Sequence, residues 1–239
     1  MGVYSGPEVV EDGLVLALDA GNLKSYPGSG STWTDLSGQG NNGTLNTLAP
    51  ALPSYNSDNG GSLSFDGKSQ NIIFPNNSFG KPNNITMEIW VKHTDSSQSI
   101  SYVGGIDGGP GGYMGFSIRK DSGNWRFYIG GGGKTQNDVI GDVYQANTIV
   151  HLVGTYDGTA MKFYTNGVLK TTSTNYSGNI VYYSAPTAHI AGKTILDPES
   201  LNGSESLKGN LYSYKLYNRA LTASEIQQNY TATKSRFGL

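Results

Sequence analysis

The chain has 239 residues, 14 % of them charged, with a formal net charge of −2 and no cysteine. No basic patch stands out, so a nucleic-acid partner is not expected, and disulfides and thiolate metal sites are excluded. Thirty-four glycines and sixteen tyrosines, with many Ser, Thr and Asn, supply the turn formers and strand formers of an all-β chain.

This length suffices for one large sandwich with a substantial core. Met1 is followed by Gly2-Val3-Tyr4-Ser5-Gly6-Pro7, with neither a basic n-region nor an apolar run. No signal peptide and no membrane-inserted helix is therefore expected. Gly2 begins like a myristoylation signal, but Gly6 stands where that signal has Ser or Thr. Residues 1–12 read as an N-terminal arm. The run Leu14–Leu18 then reads as a strand covered on both faces. Residues 20–62 are poor in apolar side chains and read as long loops, with one short strand near Gly43–Leu45.

The core strands follow. Ile85, Met87, Ile89 and Val91 alternate with Thr86, Glu88, Trp90 and Lys92, which gives one apolar face and one polar face. Met114, Phe116 and Ile118 repeat the pattern, as do Trp125, Phe127 and Ile129. Another strand runs from Thr148 to Tyr156. Asp157-Gly158 and Asn166-Gly167 are hairpin turn signals that bracket Met161–Thr165. Ala188–Ala191 and Leu207–Tyr217 complete the sheets. The Gly-rich stretches 104–112 and 130–133 read as loops, and neither opens a helix that could cradle phosphate.

At the end of the chain, Thr222 and Glu225 have the spacing of a capping box, and Leu221 and Ile226 that of a hydrophobic staple. A short helix is expected near 222–233, with Ile226 and Tyr230 on one face. With no internal repeat and no linker, 13–234 reads as a single domain and 235–239 as a tail.

Four segments in order carry a resemblance: Asp35–Thr44, Leu63–Gly67, His151–Gly158 with Phe163–Val168, and Leu216–Ile226. Together they resemble LamG-like jelly-roll domains of the concanavalin A-like lectin/glucanase superfamily. The fold this implies is an all-β, antiparallel jelly-roll sandwich with a short C-terminal helix. The opening Gly13–Asn22, with Ser25–Gly28 after it, and the closing Lys234–Leu239 resemble LamG-like virion proteins of tailed bacteriophages.

The superfamily includes glucanases, which need two carboxylates across the scissile bond. In glucanases of this fold they lie on one strand, in a Glu-x-Asp-x-x-Glu run or similar. No such run occurs here: Glu88 is alone on its strand, and Asp197-Pro198-Glu199 reads as a turn. His93, His151 and His189 read as hydrogen-bonded structural histidines. No Gly-x-Ser-x-Gly elbow supports acyl transfer. No enzymatic activity and no required cofactor are expected.

Many LamG-like domains bind Ca²⁺ through loop carboxylates and carbonyls. Two carboxylate positions common in relatives are occupied here by Tyr212 and Ser213. The remaining candidate ligands are Asp107, Asp35, Asn41 and Asp197, which as turn residues would instead satisfy local backbone groups. A glycan platform needs aromatic rings with amide and carboxylate partners. Tyr182, Tyr183 and Tyr113 are the candidates, and Tyr102, Tyr144 and Tyr176 also read as lying in or near loops. Six Asn-x-Ser/Thr sites, at Asn42, Asn76, Asn84, Asn175, Asn202 and Asn229, are expected to be unmodified.

The resemblance makes the leading expectation a non-enzymatic structural or decoration protein on the surface of a tailed-phage virion. Its partners would be capsid or tail proteins in a larger array or oligomer. Tyr4, Phe237 and Leu239 would be the assembly contacts, since arm and tail have little to bury against in their own domain. The alternative is a glycan-binding lectin or adhesin using the rim loops, and a third reading is a glucan hydrolase.

Overall fold

The structure, a computed structural model, describes residues 8–47, 51–68, 70–75, 78–107, 114–131, 136–184, 187–192 and 205–239. The described strands are, in chain order, β1 (Leu14–Asp19), β2 (Thr32–Trp33), β3 (Gly43–Thr47), β4 (Ser54–Asn56), β5 (Ser62–Asp66), β6 (Gln70–Ile73), β7 (Ile85–His93) and β8 (Ile100–Asp107). They continue with β9 (Gly115–Asp121), β10 (Asn124–Gly130), β11 (Gln136–Val143), β12 (Ile149–Tyr156), β13 (Met161–Thr165), β14 (Val168–Ser173), β15 (Thr187–Ile190) and β16 (Lys208–Tyr217). Among the described residues there is one α-helix, α1 (Ala223–Thr233), which leads into a 3-10 turn at Lys234–Phe237.

The strands form two antiparallel sheets of eight. The first runs β14-β13-β12-β7-β16-β5-β4, with β1 added to β16 beyond the end of β5. The second runs β11-β10-β9-β8-β15-β6-β3-β2. The expected jelly-roll sandwich is the observed one. Met87, Ile89 and Val91 of the first sheet and Phe116, Ile118, Phe127 and Ile129 of the second are buried in one shared core. Close approach of the layers explains two glycines. A Cβ on Gly154 would lie 2.4 Å from the Phe127 ring, and one on Gly141 equally near Phe163.

Asn166-Gly167 forms the expected two-residue turn between β13 and β14, with φ of 51° and 77° as a type I′ turn requires. Residues 20–62 hold more order than their composition suggests, because β2 and β4 add to the sheet ends there. The stretch 104–112 is not wholly loop either: Gly104 and Gly105 belong to β8. A Cβ on Gly105 would sit 2.1 Å from the Phe116 carbonyl oxygen, so glycine permits the tight pairing with β9.

β1 is an edge strand, and the Asp35–Asn42 loop closes its free side. Asp35 Oδ1 accepts from the Ala17 and Ser37 amides, each at 2.9 Å. Asp35 Oδ2 accepts from Ser37 Oγ at 2.7 Å and the Asn41 amide at 2.9 Å. Asn41 Nδ2 donates to the Val15 carbonyl, and the Leu36 amide donates to that of Ala17. An exposed edge is a template for unwanted pairing, and here a loop covers it. Both carboxylate oxygens of Asp35 are fully engaged and Asn41 is turned to backbone. Asp35 and Asn41, two of the candidate calcium ligands, thus serve this loop and β1 as hydrogen-bond partners.

The capping box is formed. Thr222 Oγ1 accepts from the Glu225 amide, and Glu225 returns a bond to the Thr222 amide at 2.7 Å. Arg219 forks onto Glu225, and with the Thr222 bonds it outweighs the opposing effect of burial and holds the Glu225 carboxyl at about 2. Leu221 and Ile226 are buried together with Val153, Tyr164, Tyr217 and Val10. The arm thus joins the domain by Val10. The tail does so by Phe237, whose ring stacks on Trp90 at 4.2 Å between centroids and meets Tyr212 edge-on at 5.1 Å. The expectation that Phe237 would dock on a neighbour is corrected: the outer face of the first sheet supplies its partner. Leu239 remains exposed, and Tyr4 lies outside the described residues. Among the described residues no helix is long and apolar enough to cross a membrane.

Candidate functional site

One end of the second sheet carries Tyr182 and Tyr183, two of the candidates taken from the sequence. The C-terminal ends of β8 and β10 and the N-terminal ends of β9, β11 and β15 all meet there. The segment 180–183 is laced into the same end, through Val181 N–H to the Gly130 carbonyl and Gly115 N–H to the Val181 carbonyl. Tyr113, Asp197 and the side chain of Asp107 lie outside the described residues.

Tyr182 is not a free platform. Its hydroxyl donates to the Pro82 carbonyl at 2.6 Å and its ring meets Phe116 edge-on, while burial pushes its pKa well up. Tyr183 is half-buried beside it. Tyr102 is a buried residue of β8, and Tyr144 is buried in the loop that follows β11. Tyr102 takes a hydrogen bond from Arg119, whose guanidinium lies over the Tyr102 and Tyr128 rings. Tyr144 contacts His93 Nδ1 at 3.1 Å. Tyr176 stacks on Tyr156 and borders a cavity of about 90 Å³ with Asn137, Asp138 and Asn175. A Cβ on Gly131 would fall 2.4 Å from the Tyr176 ring, so glycine is what admits that ring.

The outer face of the first sheet holds what the sequence did not reveal. Glu88 and Trp90 point outward, as the alternation predicts, yet both are buried because α1 and the 3-10 turn lie over them. Glu88 accepts from Lys215 Nζ at 3.0 Å and from Asn229 Nδ2 at 2.5 Å, and His151 Nε2 lies 3.2 Å away. Burial alone would raise the Glu88 carboxyl. The Lys215 ammonium and the His151 ring outweigh it and hold the group at about 2. Asn229 also donates to Tyr217 Oη at 3.0 Å and accepts from the Val10 amide at 2.8 Å. One buried amide thus ties arm, helix and sheet together. It also closes the glycosylation signal at Asn229, since that side chain is wholly buried.

Beside this cluster runs a groove of about 530 Å³, between the arm and β1 on one side and the 3-10 turn on the other. Leu14, Leu36 and Phe237 give it apolar walls, and Ser213 and Lys215 lie along β16. Arg236 closes one end. It pairs with Asp19 at 2.6 Å and donates to the Asn59 carbonyl at 2.8 Å and to that of Gly61. The volume lies in the range of small-molecule pockets. No group of three or more His, Cys, Asp or Glu able to hold a metal ion occurs among the described residues.

A family model described as the concanavalin A-like lectin/glucanases superfamily, of the laminin G type, matches residues 66–227. The chain belongs to this superfamily. No curated protein matches it. Among solved structures, domain 4 of an extracellular arabinanase from Geobacillus stearothermophilus, in complex with arabinotriose, is 19 % identical. The match covers 91 % of this chain and 98 % of that domain, with a TM-score of 0.59. The binding domain of botulinum neurotoxin serotype G is 16 % identical, over 91 % of this chain and 50 % of that one, with a TM-score of 0.65. Trypanosoma rangeli sialidase is 19 % identical, over 94 % of this chain and 34 % of that one, with a TM-score of 0.62. This chain thus shares its sandwich fold with a whole arabinanase domain and with about half of the toxin binding domain. At these identities the likeness is one of fold.

Proposed function

We propose that this protein is a non-catalytic carbohydrate-binding module. The observation that carries the reading is the end-to-end match with an arabinanase domain that holds arabinotriose. A single sandwich of this size is a sufficient scaffold for an oligosaccharide, with no second domain.

The chemistry of the buried carboxylate supports the non-catalytic part. A glycosidase acid must keep a proton near neutral pH, and its partner must face the bond to be cleaved. Glu88 is held ionised down to about 2. Both of its oxygens are engaged, by Lys215 and Asn229, beneath α1. The test is a glycan array and isothermal titration with arabino-, xylo- and gluco-oligosaccharides, alongside a reducing-sugar assay. Saturable binding without sugar release is expected. Release of reducing ends, or no binding to any glycan, would overturn the reading.

A second reading sets such a module on a tailed-phage virion. One observation favours it: the two terminal segments that carry that resemblance touch each other, through the Asp19–Arg236 pair. They are therefore one structural feature rather than two independent likenesses. Immunogold labelling of phage particles with antiserum against the chain tests it. Label on the particle is expected, and its absence from head, tail and fibres would remove the reading.

A further inference from the structure

We propose that the groove between β1 and the C-terminal 3-10 turn is the sugar site, and that it takes neutral rather than acidic saccharides. This rests on the carbohydrate-binding reading above and adds to it a place and a ligand class.

The argument is one of charge and shape. Four charged residues line the groove: Glu11, Asp19, Lys215 and Arg236. Both cations are committed. Lys215 is paired with Glu88, and Arg236 with Asp19 and with backbone carbonyls. Glu11 is exposed and has no ion-pair partner among the described residues. An acidic sugar entering the groove would meet no uncommitted cation and one uncompensated carboxylate, and like charges brought together in a recess repel. A neutral sugar meets complementary groups. An ammonium has three donors, and Lys215 directs one at Glu88, so sugar oxygens can take the others. The Ser213 hydroxyl and the Asp19 carboxylate offer further partners. Leu14 and Phe237 present apolar surface to the C–H face of a ring.

The rim at the far end of the second sheet is the competing location. Among the described residues the cavity there is about 90 Å³ against about 530 Å³ for the groove, and Tyr182 there is spent on Pro82 and Phe116.

The test compares the full chain with three variants on an array of neutral and sialylated glycans, followed by titration of the best neutral ligand. Leu36→Trp narrows the groove from a position that is already exposed. Glu11→Lys adds an uncommitted cation at its edge. A Tyr183→Ala/Asn175→Ala double variant alters the rim. The parent chain is expected to bind neutral glycans. Leu36→Trp should weaken that binding at least about tenfold. Glu11→Lys should bind the same neutral ligand within about twofold and acquire binding to sialylated glycans. The rim variant should bind as the parent does. If the rim variant loses binding while Leu36→Trp keeps it, the groove is the wrong site and the carbohydrate-binding reading survives. A parent chain that prefers sialylated glycans overturns the ligand class. A parent chain that binds no glycan overturns both proposals together.

Discussion

Glu88 and Asn229 are 141 residues apart in sequence, and their side chains meet at 2.5 Å beneath α1. The sheet face that carries Glu88 would be a solvated polar face in a bare sandwich. The C-terminal helix converts it into a second buried layer, and Asn229 is the polar pin of that layer. It serves a carboxylate, a tyrosine hydroxyl and a backbone amide at once.

Removing the pin should loosen helix and arm together. Asn229→Ala leaves the Val10 amide and one Glu88 oxygen without their partners inside the protein. Orphaned buried groups of this kind cost about 2–4 kcal/mol in total. The expected result is a lowered denaturation midpoint. Hydrogen exchange should show faster opening in 8–12 and 222–237, with the core strands β7 and β12 unaffected until global unfolding. Uniform loss of protection across the chain would contradict the pinning role.

The same cluster sets a pH dependence. Glu88 has a folded pKa of about 2, below its ordinary 4.5, because Lys215 and His151 overcome the effect of burial. The unfolded chain therefore takes up this proton more readily than the folded one. The stabilisation from this group is complete above pH 4.5 and is lost as pH falls toward 2. Chemical denaturation across that window should show falling stability in the parent. Glu88→Gln should be less stable at pH 7, by about 3–5 kcal/mol, because Lys215 keeps a buried charge without its counter-ion. Its stability should also fall less steeply between pH 4.5 and 2. An acid limb of unchanged slope in Glu88→Gln would assign the effect to other groups.

Much of the fold is legible in local sequence. Period-2 alternation marks β7, β10 and β13, Asn166-Gly167 marks a turn, and Thr222 with Glu225 marks the start of α1. Each of these depends on residues a few positions apart. The groove and the Glu88 cluster are not legible in that way. The outward row Thr86, Glu88, Trp90 reads as solvent-facing, because alternation reports which face a side chain takes and not what later covers that face. The covering helix is visible, but its docking place follows from pairings more than 120 residues apart, such as Asn229 with Glu88. Phe237 misleads for the same reason. An aromatic residue beside a terminus reads as unburied until Trp90 is known to lie beneath it. One signal was available: Trp90 is a large apolar residue in the polar row, and it implies a cover.

The contact between Phe237 and Trp90 can be tested directly. Phe237→Ala removes a half-buried ring stacked at 4.2 Å, which should cost about 1–3 kcal/mol, below the range for a fully buried phenylalanine. Trp90 would then be open to water on the side that Phe237 covered. Its emission should shift to the red in the native state, before any unfolding. A variant with the parent's emission and stability would show that the tail does not lie on this face in solution.

The last prediction concerns the guarded edge. Asp35 holds the Ala17, Ser37 and Asn41 amides with one carboxylate. Asp35→Ala strands these donors and frees the outer side of β1. Hydrogen bonds to a charged acceptor contribute about 1.5–3 kcal/mol each at most, and water replaces part of that once the loop opens. A net loss of about 2–4 kcal/mol is expected. The more specific consequence is association, because a freed edge strand can pair with another chain. Light scattering of Asp35→Ala below its unfolding midpoint should therefore rise with protein concentration. Phe237→Ala, destabilised at a site that leaves the Asp35 hydrogen bonds to β1 in place, should stay monodisperse under the same conditions. If both variants aggregate alike, the cause is general instability and the loop does not act as an edge guard.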